Sequence, residues 1–408
     1  MAAEIKDSLP PGVDPNNTMK LQLLRKIDSC EDNINMAILI QNEDGLISIS
    51  DDKTIRIWLK RDTGQYWPSI CHNLPAIPTC LEYEHVTHKL FIGMENGTIS
   101  EYKVSEDYNS LKQERDYLAH ILKVTSVQFS PTDNWLLSCS RDKNFQWHCT
   151  QTGRRLGGYV TNAWCTCLQY DTQAKYAFVG DYAGNVSLLK LTSNEGLELV
   201  TTLKGHSGSI CCLCWDSQKQ LLFSGSFDQS IVVWDIGGQK GTAFELQGHR
   251  EKVQSVVYIP ESKVLVSASD DCTIGIWDLK VQRNECPEWA ESNDCQKCDR
   301  PFFWNFKSMW QQKTLGGRQH HCRKCGLAFC DSCSTRRTTI PLLGFEYAVR
   351  ICDRCDESIS DSDKKPLAFF HDSRHHIVNA SYSSRTKMLL TVGKDKIMKL
   401  WDMKPVLN

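Results

Sequence analysis

Leu222-Phe223-Ser224-Gly225-Ser226-Phe227-Asp228-Gln229-Ser230-Ile231-Val232-Val233-Trp234-Asp235 reads as a strand, a turn and a second strand. Apolar and small residues alternate with period two over Leu222 to Ser226 and again over Ile231 to Trp234, and Phe227 to Ser230 supplies the turn. The same plan returns at Leu265 to Trp277 and at Leu389 to Trp401. Looser copies end near Trp58, Tyr102, Trp147 and Leu189, so that successive units from Trp58 to Trp277 are 42 to 45 residues apart. The most regular units close on Trp-Asp, at Trp234-Asp235, Trp277-Asp278 and Trp401-Asp402, and two of them are preceded by Gly-His, at Gly205-His206 and Gly248-His249.

A period near forty with these landmarks marks four-stranded propeller blades. The residues resemble the WD-repeat family, most closely in three blades. The step from Trp277 to Trp401 is 124 residues where one period was due. Six blades therefore precede an insertion and one follows it, which predicts an all-β, seven-bladed propeller. Blade five places an outer strand at Thr242 to Leu246, and its counterpart in blade six is Leu367 to Phe370. The insertion is thus expected between the third and outer strands of blade six, projecting from one face of the disc. Leu21 to Lys26 is the expected outer strand of blade seven, pairing with the strand that ends at Trp401 and removing an exposed edge. His206, Asp228, Ser226 and Trp234 are expected to form a buried hydrogen-bonded set rather than a catalytic one. No serine lies in a nucleophile elbow. Cys165, Cys167, Cys211, Cys212 and Cys214 lie in apolar runs and read as buried thiols.

The inserted segment carries four Cys-x-x-Cys pairs: Cys295/Cys298, Cys322/Cys325, Cys330/Cys333 and Cys352/Cys355. Eight thiolates supply two tetrahedral sites, the ligand count of two structural zinc ions with no position left for water. A cross-brace pairs Cys295, Cys298, Cys330 and Cys333 around one zinc and Cys322, Cys325, Cys352 and Cys355 around the other. The metals then hold a fold, and the cationic run Arg318-Gln319-His320-His321-Cys322-Arg323-Lys324-Cys325-Gly326 remains for binding.

That run, with Val349-Arg350-Ile351-Cys352, resembles the FYVE zinc-finger family over residues 285–360. The resemblance implies phosphatidylinositol 3-phosphate as ligand, with Arg318, Gln319, His320, His321, Arg323 and Arg350 at the headgroup and Leu315-Gly316 at a membrane-inserting loop. Arg318 would face the 1-phosphate, Arg323 and Arg350 the 3-phosphate, and His321 the ring hydroxyls. Gln319 departs from the family's second basic residue. The Trp-x-x-Asp motif appears as Trp289-Ala290-Glu291-Ser292, which removes a carboxylate unless Asp294 replaces it. The aromatic run Phe302 to Trp310 is expected either to bury against the finger or the propeller, or to join Leu315 at the membrane.

Acidic and basic residues nearly cancel, with a net charge of −2, so any membrane affinity must come from a local patch and a nucleic-acid reader is not expected. Residues 1–17 form a polar tail without the apolar centre of a signal peptide, and no apolar run is long enough to span a bilayer. Twenty cysteines then read as reduced thiols and metal ligands. The expected organisation is a tail at 1–17, propeller at 18–280, finger at 285–360 and returning propeller at 365–404. The combination resembles the WD-repeat and FYVE-domain-containing protein family. The resemblance implies a non-enzymatic cytoplasmic adaptor, peripheral on early endosomes, that presents its propeller to signalling kinases or trafficking factors. The competing class is a zinc-finger ubiquitin ligase with a propeller receptor. Such fingers usually have a Cys-x-His ligand pair, absent here.

Overall fold

A computed structural model of the chain describes residues 20–28, 31–192, 196–237 and 243–407; the expected tail at 1–17 lies outside them. Seven sheets of four antiparallel strands form the blades of a propeller, one sheet being extended to six strands. The inner strands, beginning with Ile34–Leu39 and ending with Ile377–Ser383, adjoin one another in succession, and the last adjoins the first. That closure is made by side chains: the Ala37 amide donates to Asn379 Oδ1 at 3.2 Å and the Leu39 amide to Ser381 Oγ at 3.2 Å. Buried apolar clusters lie between neighbouring blades, as where Ile34, Leu46 and Trp58 meet Leu390, Val392 and Leu400. The strand Gln22–Ile27 pairs antiparallel with Met398–Asp402, Ile27 opposite Met398 and Gln22 opposite Asp402. The two ends of the chain thereby share blade seven, and the outer edge of Met398–Asp402 is covered.

A hydrogen-bonded relay runs through the regular blades. In blade five His206 Nδ1 lies 3.0 Å from Asp228, its Nε2 lies 2.8 Å from Ser224 Oγ, and the Trp234 indole donates to the same hydroxyl at 2.9 Å. Blade six repeats this with His249, Asp271, Ser267 and Trp277. The serine in the relay is Ser224, which corrects the expectation of Ser226. Ser226 instead turns its hydroxyl to the Gly208 carbonyl and accepts from the Asp228 amide, which holds the turn. Burial alone would raise the Asp271 carboxyl, but His249, Thr273 and the Arg250 amide outweigh it and hold the group well below the usual carboxylate range. Blade three is irregular. His148 stands opposite Leu136, the register that Trp234 holds opposite Leu222, and the fully buried Trp147 packs on Gly157 instead.

In blade six the third strand Thr273–Asp278 pairs with Ala368–Asp372, so the 279–367 stretch leaves and returns within a single blade. Its path corrects the expectation of a module projecting from one face. The strand Phe345–Arg350 runs parallel to Ala243–Gln247, the outer strand of blade five, with Phe345 beside Gln247, and Arg337–Ile340 adds a sixth strand. The outer strand of a blade has one unpaired edge, and this contact covers part of it. Gly344 makes the approach possible. Its φ is +84°, and a Cβ there would lie 1.7 Å from the Glu245 carbonyl oxygen. No helix among the described residues is long and apolar enough to cross a membrane.

Candidate zinc centres and headgroup site

The eight paired cysteines form two groups of four: Cys295, Cys298, Cys330 and Cys333, and Cys322, Cys325, Cys352 and Cys355. Within each group the sulfurs lie within 4.8 Å of one another. Four thiolates each about 2.3 Å from a central ion would be about 3.8 Å apart, so both groups fit a tetrahedral zinc, and two zinc ions are the cofactors this donor set accepts. Each site joins distant segments. Cys330 precedes and Cys333 ends a single 3-10 turn, and Cys352 precedes a short helix that contains Cys355, so both second pairs are set by local backbone curvature.

The short strand His320–His321 pairs with Ala328–Phe329 and lies between the two metal groups. It directs a basic surface into a cavity of about 700 Å³ bounded by finger and propeller. Arg318, Gln319, His320, His321, Arg323 and Arg350 all line it. Trp289 stacks flat on His321 at 4.8 Å and 13°, and the Arg323 guanidinium lies 4.6 Å over the same indole. His321 Nε2 faces the Ala290 carbonyl at 3.2 Å, which makes it the nitrogen carrying the proton in the neutral ring. Arg350 donates to the Ser334 carbonyl at 2.7 Å and lies 3.6 Å from Asp331, while His320 lies 2.6 Å from that carboxylate. Burial and then Arg350 pull His320 below its ordinary value, against Asp331. Arg318 is exposed and has no ion pair among the described residues. The Gln319 amide donates to the Ser292 carbonyl at 3.4 Å, so it braces the loop that carries Trp289.

Arg337 and Tyr347 also line the cavity, as do Glu245 and Gln247 of the propeller, and none of these was visible as a site residue in the sequence. The Arg336-Arg337 pair was a weak signal; the propeller residues gave none. Asp294 does not replace the missing carboxylate. It is absent from the lining, and its Oδ1 accepts from Asn305 at 2.9 Å.

At the proposed membrane loop Leu315 is 83 % exposed, whereas Gly316 is buried, its amide donating to Met309 Sδ at 2.9 Å. Phe302 is fully buried in the finger core, but Phe303, Trp304, Phe306 and Trp310 are exposed. The helix Phe306–Gln312 buries none of its residues, so most of the aromatic run stands outward instead of packing on either module. Met309, Trp310, Lys313, Thr314 and Leu315 surround one shallow hollow there.

A buried charge pair secures the finger to the propeller. Glu346 lies 3.9 Å from Arg283 and accepts from the Leu367 amide, while Arg283 donates to the carbonyls of Asp278 and Leu367. Glu346→Leu removes the carboxyl group beside the buried Arg283 charge, which is left with the carbonyls of Asp278 and Leu367, at a cost of about 3–5 kcal/mol. Amide exchange at Phe345–Arg350 should then rise sharply, and Glu346→Gln should have a smaller effect; equal exchange in both would contradict this role. Burial, against Arg283, pushes the Glu346 carboxyl up to about 7. The folded state therefore binds the proton more tightly than the unfolded one, so this contribution is full below about pH 4.5 and is lost as pH rises through about 7. Exchange corrected for its intrinsic pH dependence should be slower at pH 5.5 than at pH 8.

Comparison with known proteins agrees with both halves. The FYVE zinc finger family matches residues 287–361, and the WD domain, G-beta repeat, family matches 111–146, 197–235 and 241–278. The chain is 54 % identical over 391 residues to human WD repeat and FYVE domain-containing protein 2, covering 96 % of this chain and 98 % of that protein. It is 52 % identical over 408 residues to human WD repeat and FYVE domain-containing protein 1, covering 100 % of this chain and 98 % of that one. The segment shared with vacuolar protein sorting-associated protein 27 of Debaryomyces hansenii is 82 residues long and 35 % identical, 20 % of this chain and 10 % of that protein. Among solved structures, the WD40 beta propeller domain of Doa1 superposes with a TM-score of 0.61 at 14 % identity, covering 94 % of this chain and 97 % of that one, which bears on fold alone.

Proposed function

The chain belongs to the family of WD repeat and FYVE domain-containing proteins, and we propose that it is a non-enzymatic adaptor that binds phosphatidylinositol 3-phosphate on early endosomes. The observation that carries this reading is the convergence of Arg318, His320, His321, Arg323 and Arg350 on one cavity beside two four-thiolate groups. Forked guanidinium donors bind a phosphomonoester more strongly than the diester phosphates of ordinary lipids, because a monoester offers more charge and more acceptor oxygens. The zinc ions supply rigidity, and every contact to ligand comes from the chain's own side chains.

Phe306, Trp310 and Leu315 are exposed apolar side chains on the stretch that leads into Arg318, suited to enter the bilayer. One leucine contributes only about 1.5–3 kcal/mol on burial, and the two aromatic rings add to it. Because the finger is seated on blade five, a finger docked on lipid also sets the direction in which the propeller faces its protein clients, which would be signalling or trafficking proteins.

The test is co-sedimentation of the zinc-loaded chain with vesicles containing phosphatidylinositol or its 3-, 4-, 4,5- or 3,5-phosphorylated forms. Pelleting with the 3-phosphate alone is expected. Equal pelleting with every anionic vesicle, or none with the 3-phosphate, would overturn the reading.

A further inference from the structure

The cavity has two walls of different chemistry. From the finger come Arg318, Arg323, Arg337, Arg350 and the two histidines, a wall dominated by donors. The side-chain carboxylates in the lining, Glu245 and Asp228, both come from the propeller. Asp228 is committed to its blade. It takes His206, the Ser207 amide and Ser230, each within 3.1 Å. Glu245 is half-buried on the outer strand of blade five, and the side-chain contact it has among the described residues is an accepted bond from its neighbour Gln247. Gln247 is held in turn by the Tyr347 hydroxyl of the finger and, through its amide, by the Gly344 carbonyl at 2.8 Å. Glu245 is thus positioned across the junction and not left to move freely.

Glu245 and Arg323 both line this space, one from the propeller and one from the finger, and form no ion pair with each other among the described residues. Cys286 and Tyr347 lie within electrostatic reach of both: burial pushes the Cys286 thiol up to about 11, Glu245 acts in the same direction, and Arg323 opposes it. A phosphorylated polyol brings phosphate oxygens that need donors and ring hydroxyls that need acceptors. The finger wall satisfies the first requirement. Glu245 is the carboxylate still available for the second.

We propose that the headgroup pocket is a composite of the two modules, in which Glu245 of the propeller accepts hydrogen bonds from the hydroxyls of a singly phosphorylated inositol ring and repels a ring that carries a further phosphate on that edge. This rests on the lipid reading above. It adds that the propeller is part of the recognition site, so the isolated finger and the intact chain differ in selectivity. A carboxylate–hydroxyl bond is a charge-assisted one, and an added phosphate would meet the same carboxylate as a like charge.

The test uses the intact zinc-loaded chain and water-soluble short-chain lipids in competition against a fluorescent 3-phosphate probe. Dissociation constants are compared for the 3-phosphate, 3,4-bisphosphate and 3,5-bisphosphate forms in wild type, Glu245→Gln and Glu245→Asp. Wild type should prefer the monophosphate to at least one bisphosphate. Glu245→Gln should lose about tenfold in monophosphate affinity and about tenfold in that preference. Glu245→Asp keeps the charge on a shorter arm, and should weaken the monophosphate while retaining rejection of the bisphosphate. Should Glu245→Gln also unseat the finger, seen as faster exchange at Phe345–Arg350, the Glu245→Asp pattern decides. An unchanged preference in both variants, with wild type binding normally, would overturn the composite pocket and leave the lipid reading intact. Absence of any binding by wild type would remove the lipid reading and this assignment with it.

Discussion

Removing zinc with an excess of chelator should unfold residues 287–361 and leave the propeller standing. Of the buried residues that make up the finger's core, Cys295, Cys322, Cys330, Cys333, Cys352 and Cys355 are themselves proposed ligands, and the apolar remainder is small, led by Phe302, Phe329, Phe345 and Ile351. Such a core does not support a fold alone, whereas structural zinc contributes an apparent 10–16 kcal/mol or so per site. The seven blades depend on none of these thiols. Amide exchange should therefore become fast throughout the finger and at the Gln247 amide, which loses the Gly344 carbonyl, while Leu221–Ser226 and Val264–Ser269, and the pairing of Ala243–Gln247 with its own blade, stay protected. A finger that kept its protection after zinc had been shown to leave would refute the structural role of the metal.

Arg323→Ala and Arg350→Ala should each lower affinity for the 3-phosphate lipid by about 30-fold or more, since truncating one partner of a buried charged pair costs about 2–5 kcal/mol. The two losses differ in kind. Arg323 is held by stacking on Trp289, so its removal takes away a donor and leaves the backbone in place. Arg350 also bonds the Ser334 carbonyl next to Cys333, so its loss should loosen one zinc site slightly as well. Arg354, exposed on the helix Asp353–Glu357 and outside the cavity lining, provides a charge-matched control whose truncation should change affinity less than twofold at constant salt. A similar loss in all three variants, followed by vesicle flotation, would mean that total charge and not the pocket governs binding.

The chain disclosed its propeller because period-two strands and the Trp-Asp endings are local signals, and it disclosed the metal groups because four Cys-x-x-Cys pairs allow few arrangements. It was less informative where two residues share a parity. Ser224 and Ser226 lie on the same side of one strand, so alternation cannot tell which meets Trp234; the register against Ile231–Trp234 decides it. The seat of the finger was also hidden. It depends on one parallel bridge between residues about a hundred positions apart, on Gly344 being free to adopt a positive φ, and on the Arg283–Glu346 pair, and none of these leaves a pattern in the sequence. Glu245 escaped notice for the same reason, as a single acidic residue in a strand otherwise read as scaffold. The aromatic run was ambiguous because composition shows that Phe302 to Trp310 is apolar but not which side chains face inward. Phe302 does, and the helix that follows turns Phe306 and Trp310 to solvent.

On the proposed reading the finger, as carried by this propeller, recognises a phosphomonoester at the 3-position of inositol. The most direct measurement is isothermal titration of the zinc-loaded intact chain with water-soluble short-chain phosphatidylinositol 3-phosphate, against the unphosphorylated and 4-phosphate forms, with no bilayer present. One-to-one binding heat is expected for the 3-phosphate, and none of comparable affinity for the other two. Equal heats for the 3- and 4-phosphates, or none for the 3-phosphate in a folded zinc-loaded sample, would contradict it.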